Sequence, residues 1–151
     1  MGYSVYISSE KDLSEPYCSY QLASPVDLIH HIMAFASFLV CDSQSMAVEA
    51  AVLGVPSIRF NDFAGKINVL EELEHKYELT YGIKTDQPER LFEKINELLA
   101  IPNLREEFQF RRRKMLADKI DVTAFLVWFI ENYPKSKEIM KTNPDYQYRF
   151  K

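Results

Sequence analysis

Residues 41–60, CDSQSMAVEAAVLGVPSIRF, hold several side chains with the types and spacing to bind a ligand. Ser43 and Ser45 stand in a polar turn just ahead of an apolar helical stretch, where the first backbone N–H groups of a helix lack intrahelical partners. Such a start attracts anions, and two hydroxyls beside it extend the donor set to a phosphate or diphosphate. Glu49 follows Ser45 by four residues, so the two share a helix face. It is the only charge within residues 46–53. A carboxylate in so apolar a helix needs water, a partner or a ligand, because burying it unpaired is costly. Three roles fit it: acceptor for the vicinal hydroxyls of a ribose, a solvent-facing residue at a sheet edge, or a carboxylate bonded to a backbone N–H. Arg59, near the end of the next strand, can meet a phosphate or pair with Asp62.

Other chemistries lack their sequence context. There is no P-loop and no G-x-G-x-x-G. Ser43 lacks the G-x-S-x-G elbow of a nucleophilic serine. Asp42 follows a strand as a phospho-acceptor does, but without the accompanying acidic pair of a receiver domain. His30 and His31 are adjacent and project about 100° apart on a helix, so they do not face one ligand together. Cys18 and Cys41 have no metal-type spacing, and no metal or cofactor site is expected.

The elements around these residues alternate. Residues 3–8 read as a strand, and residues 19–23 as a short second one. Ser24 and Pro25 suit a helix start, with Leu28, Ile32 and Phe35 on one face. Residues 37–41 form a nearly continuous apolar run, as in a strand buried on both faces of a parallel sheet. The helix after it stops at Gly54. A strand over 57–60, a loop over 61–65, a helix over 67–77 and a strand over 79–83 follow. Helices over 88–99, 104–117 and 121–132 complete the domain, and residues 134–151 read as an aperiodic tail. Strands alternating with helices predict one α/β, Rossmann-like domain over residues 1–133, with a mostly parallel sheet and helices on both faces. Ligands of such sheets sit beyond the carboxyl ends of the strands, which points to residues 42–45 and 61–66.

Composition narrows the class. The net charge is −4, so the chain carries no overall electrostatic footprint for nucleic acid. The run from Arg111 to Lys114 shares its helix with Glu106 and Glu107 and reads as a solvated face. Apolar runs fall short of a bilayer span, no signal peptide is visible, and two lone cysteines suit a reducing compartment. A cytoplasmic location is expected.

The pattern Asp42-Ser43-Gln44-Ser45-Met46, Glu49-Ala50-Ala51, Leu53-Gly54 and Pro56 resembles a poorly characterised bacterial and archaeal family of glycosyltransferase-B-like proteins. More distantly, it is similar to the D-S-G-G-…-E-E segment of UDP-N-acetylglucosamine 2-epimerases. The resemblance extends over residues 3–99 and includes the helix with His30 and His31 and the loop Phe63-Ala64-Gly65-Lys66. It implies the nucleotide-sugar-binding, C-terminal half of a glycosyltransferase-B fold. It assigns Ser43, Gln44, Ser45 and Met46 to the diphosphate and Glu49 to the ribose. Gln44 replaces the glycine usual in relatives, and its side chain either crowds the phosphate or offers it an amide.

The implied function is nucleotide-diphosphate-sugar binding, with UDP-sugars as one candidate, for a glycosyltransferase or epimerase of envelope polysaccharide synthesis. The acceptor-binding half and the catalytic base are then expected on an N-terminal domain or a partner chain, and this chain alone is inactive. The alternative is a non-catalytic binding or assembly module that keeps the fold. Tyr133, Tyr146, Tyr148 and Phe150 in the tail either cover their own domain or mark an interface.

Overall fold

Three short parallel strands carry the fold. In the computed structural model, which describes residues 3–151, β1 (Leu39–Cys41), β2 (Ser57–Phe60) and β3 (Thr80–Ile83) lie in the order β1-β2-β3. Leu39 pairs with Ser57, and Ser57 with Thr80, in a register kept to the strand ends. The helices are α1 (Ile29–Phe35), α2 (Gln44–Leu53), α3 (Asn68–His75), α4 (Pro88–Leu99), α5 (Leu104–Asp118), α6 (Val122–Glu131) and α7 (Lys135–Thr142). This is an α/β fold, compatible with a Rossmann-like domain.

Strand alternation sorts the helices between the two faces. Arg59 and Gly82, in register, meet Glu74 of α3 on one face. Ile58 and Tyr81, also in register, point to the other, where Lys94 of α4 and Arg111 of α5 reach the Tyr81 ring and hydroxyl. The core joins Ala47 and Ala51 of α2, Ile58 of β2, Leu70 and Leu73 of α3, Leu98 of α4, and Phe108 and Met115 of α5. The basic run does not act as one solvated face. Arg111 binds Glu107 and the Glu78 carbonyl, and Arg112 donates to the Val52 carbonyl, while Arg113 and Lys114 stay exposed.

Gly54 ends α2 in the left-handed region, φ 73°, and α5 packs directly on it. A Cβ there would lie 2.5 Å from Gln109 Nε2, the group that donates to the Leu53 carbonyl. Gly54→Ala therefore combines left-handed strain with overpacking. It should cost about 2 kcal/mol, read as a lowered urea midpoint with an unchanged slope.

The chain divides into two units, residues 1–32 and 33–151. Within the first, the expected strands over 3–8 and 19–23 reduce to one parallel bridge, Ile7 to Gln21, with a 3₁₀ turn at Cys18–Tyr20. Tyr3, Val5 and Tyr6 are exposed, so their alternation buries nothing. Ser24 donates to the Pro25 carbonyl, and a 3₁₀ turn, Val26–Leu28, leads into α1. Phe35 is 80% exposed and Leu28 is also exposed, so the expected face of Leu28, Ile32 and Phe35 does not form; Met33 is the buried residue of α1. In the second unit, the expected aperiodic tail is α7 followed by a 3₁₀ helix, Pro144–Phe150.

Candidate functional site

The turn after β1 is built around one serine. Ser43 is extended, φ −87° and ψ 128°, and its hydroxyl accepts the Met46 N–H at 3.3 Å as the N-cap of α2. The Ser43 and Ser45 hydroxyls lie 3.1 Å apart. The cap satisfies one of the orphan donors, and the N–H groups of Gln44 and Ser45 precede any intrahelical acceptor. Gln44, Met46 and Glu49 are half-buried and Ser45 is exposed. Behind the turn, the Cys41 thiol donates to the Ser43 carbonyl at 3.3 Å, and burial raises its pKa. It is a packed strand residue.

Hydrogen bonds lace the loops beyond all three strands into one rim. Asn61, directly after β2, donates its amide to the Asp42 carbonyl at 2.7 Å and accepts the Phe63 N–H at 3.0 Å. Its own N–H reaches the Ile83 carbonyl at 3.1 Å. Asp62 accepts the Thr85 N–H and hydroxyl, which hold its carboxyl below the ordinary value. Asn61 had no motif to single it out, but a polar residue closing a buried parallel strand is placed to orient the neighbouring loop. The rim ties the Ser43 turn to a rigid sheet, which a preorganised binding site requires.

Arg59 stands apart from this group. It is in register with Cys41, yet its guanidinium turns to α3 and is fully buried. Nη2 donates to Glu74 Oε2 at 2.7 Å, and Nε and Nη1 are buried without partners among the described residues. Asp62, the partner weighed from sequence, is engaged by Thr85 instead. Both recorded bonds of Glu74, from Arg59 and from the Gly82 N–H at 2.9 Å, fall on Oε2. Burial raises the Glu74 carboxyl pKa against the opposing pull of the Gly82 N–H and Arg59. The pair is a structural joint between β2, β3 and α3. A Cβ at Gly82 would lie 2.9 Å from Arg59 Nη2, so the joint also requires glycine there.

Above this joint lies an open cleft of about 280 Å³ lined by Gly65, Glu71, Glu74, His75, Lys84 and Gln87 among others. Glu71 accepts the Gly65 N–H and pairs with His75, each at 3.1 Å. The turn residues Ser43 to Met46 do not line it. The strand order runs 1-2-3 without reversal, so the described strands lack the switch point at which such sheets usually open a crevice.

Among the described residues no group of three His, Cys, Asp or Glu side chains could hold a metal ion, and no helix is long and apolar enough to cross a membrane. His30 and His31 are both exposed, and both cysteines are free thiols. The start of α2 thus brings together the Ser43 and Ser45 hydroxyls and the first backbone N–H groups of the helix, with Glu49 one helical turn further along. No protein-family model, no curated protein and no solved structure matches this chain.

Proposed function

We propose that this chain binds a nucleotide-diphosphate sugar at the start of α2, as the donor-holding half of a glycosyltransferase or sugar epimerase of envelope polysaccharide synthesis. The observation that carries the reading is the Ser43 cap, with its paired Ser45 hydroxyl and adjoining helix N–H groups, on a rim fixed by Asn61. Donors arranged this way suit a diphosphate. Glu49, further along the same helix face as Ser45, supplies a carboxylate for the ribose diol. Gln44, half-buried at the first position of α2, offers its amide to the diphosphate or narrows the approach to it. The acceptor site and catalytic base lie on another domain or a partner chain, and this chain alone binds without turnover.

A second reading, a binding or assembly module that keeps the fold without the chemistry, is favoured by one observation. The open cleft of the sheet lies over α3 and β3, away from the turn. A thermal-shift screen with UDP, CDP, GDP and their sugars separates the two readings. A binder at 100 times its Kd stabilises the fold by about 2.7 kcal/mol, which moves Tm by several degrees in a chain of this size. No shift with any nucleotide at millimolar concentration would leave the module reading in place.

A further inference from the structure

The open cleft beside the Arg59–Glu74 joint has its charges sorted by element. The loop after β2 supplies Gly65, α3 supplies Glu71, Glu74 and His75, and the turn after β3 supplies Lys84 and Gln87. Ligands of parallel sheets gather at such strand-end loops. Glu71 and Glu74 stand three apart on one face of α3. Lys84 and Gln87 are brought together by a turn in which the Gln87 N–H donates to the Lys84 carbonyl at 3.0 Å. Gly82 keeps the cleft open beside Glu74, since a Cβ there would lie 3.0 Å from the Ala64 Cβ. Both carboxylates are fixed by the protein. Glu71 accepts the Gly65 N–H on one oxygen and meets His75 on the other. Glu74 Oε2 accepts from Arg59 and from the Gly82 N–H, which leaves Oε1 without a bond among the described residues, on a side chain only 20% exposed.

We propose that this cleft binds a small amino acid as a zwitterion, its ammonium on Glu74 Oε1 and Glu71 and its carboxylate on Lys84 and the Gln87 amide. An ammonium carries three donors and no acceptor, so it can bridge two carboxylates. The α3 side has room for that charge. Burial holds the Glu74 carboxyl pKa above its ordinary value even with the Gly82 N–H and Arg59 pulling it down. A cation against Glu74 Oε1 offsets that burial without disturbing the bonds on Oε2. On the other element, Lys84 is exposed and has no ion pair among the described residues, so it is available to a ligand carboxylate. A ligand with one charge satisfies one element and meets a like charge on the other. Size points the same way. A cleft of about 280 Å³ lies just below the range of drug-sized sites and suits a smaller molecule. Few ligand atoms and an open cleft make the binding weak, on the order of millimolar. Ser43 to Met46 do not line the cleft, so the inference is independent of nucleotide binding.

The test is an NMR titration of the full ¹⁵N-labelled chain, at constant ionic strength and to about 50 mM ligand. Glycine, β-alanine and γ-aminobutyrate scan the spacing between ammonium and carboxylate, and ethylamine and propionate carry one charge each. At least one amino acid is expected to shift the amide signals of Gly65, Gly82, Lys84 and Gln87 saturably, and to bind about fivefold or more tighter than either control. Lys84→Ala changes an exposed side chain, so it should keep the parent spectrum and Tm while bringing the amino acid down to the affinity of ethylamine. Glu71→Gln should weaken the amino acid and ethylamine but not propionate. No saturable shift with any of the three amino acids would overturn the proposal. So would a control that binds as tightly as the best amino acid, or a Lys84→Ala variant that binds it as the parent does. Shifts confined to Ser43 to Met46 would also overturn it, since they would place the ligand outside the cleft.

Discussion

Replacing Glu74 by leucine should destabilise the fold by about 3–5 kcal/mol, the range found when a buried ion pair loses one partner. The reason is the state of Arg59. Its side chain is fully enclosed, two of its three nitrogens already lack partners, and the third is held by Glu74 at 2.7 Å. Glu74→Leu leaves a buried guanidinium with no recorded acceptor and also deprives the Gly82 N–H of its partner. Desolvating a charge costs far more than the methylene packing that leucine adds. The double variant Arg59→Met, Glu74→Leu removes both charges and fills a similar volume, so most of the loss should return. Urea denaturation of the parent, both single variants and the double variant measures this as a coupling energy. A Glu74→Leu cost below about 1 kcal/mol would mean that Arg59 finds another acceptor, such as water.

Glu49→Gln should weaken nucleotide binding by about 5- to 10-fold. A hydrogen bond from a hydroxyl to a charged acceptor contributes about 1.5–3 kcal/mol, and a neutral amide retains only part of it. Glutamine keeps the shape of the side chain on α2 and can still hydrogen-bond, so the fold is expected to be kept. Glu49 is half-buried next to Ala50 and Ala51, which are fully buried, and the substitution removes charge without opening a cavity. A loss of affinity larger than any loss of stability is therefore the expected signature. Lowered stability with unchanged affinity would identify Glu49 as a structural carboxylate.

The parts legible in the sequence were those whose signals are local. β2 falls on the expected residues because a short stretch with Ile58 and Phe60 is bounded by Pro56 and Asn61, and α4 because Pro88 starts it and a strong apolar period follows. The helix after the polar turn was also legible, though α2 begins inside that turn, at Gln44, with Ser43 as its cap. The N-terminal strands were misread because alternation in residues 3–8 signals a strand only if a sheet exists to bury one face, and these residues stay exposed. α7 escaped notice because KSKEIMKT has only Ile139 and Met140 to mark a period. The Arg59 partner was missed for a different reason: it lies 15 residues away, on another element. A signal was present, since Glu74 sits on the same helical stripe as Leu70, Leu73 and Tyr77, all buried. An acid on an apolar face calls for a buried cation, and Arg59 was the candidate.

The most direct test of nucleotide binding at the start of α2 is a double cycle by calorimetry. Parent and Glu49→Gln are each titrated with a ribonucleoside diphosphate and with its dideoxy counterpart. If the diphosphate lies over Ser43 to Met46 with its ribose toward Glu49, the two changes delete the same contact, and the combined loss falls well short of the sum. Losses that simply add would show that Glu49 does not read the ribose, and would contradict the proposed site.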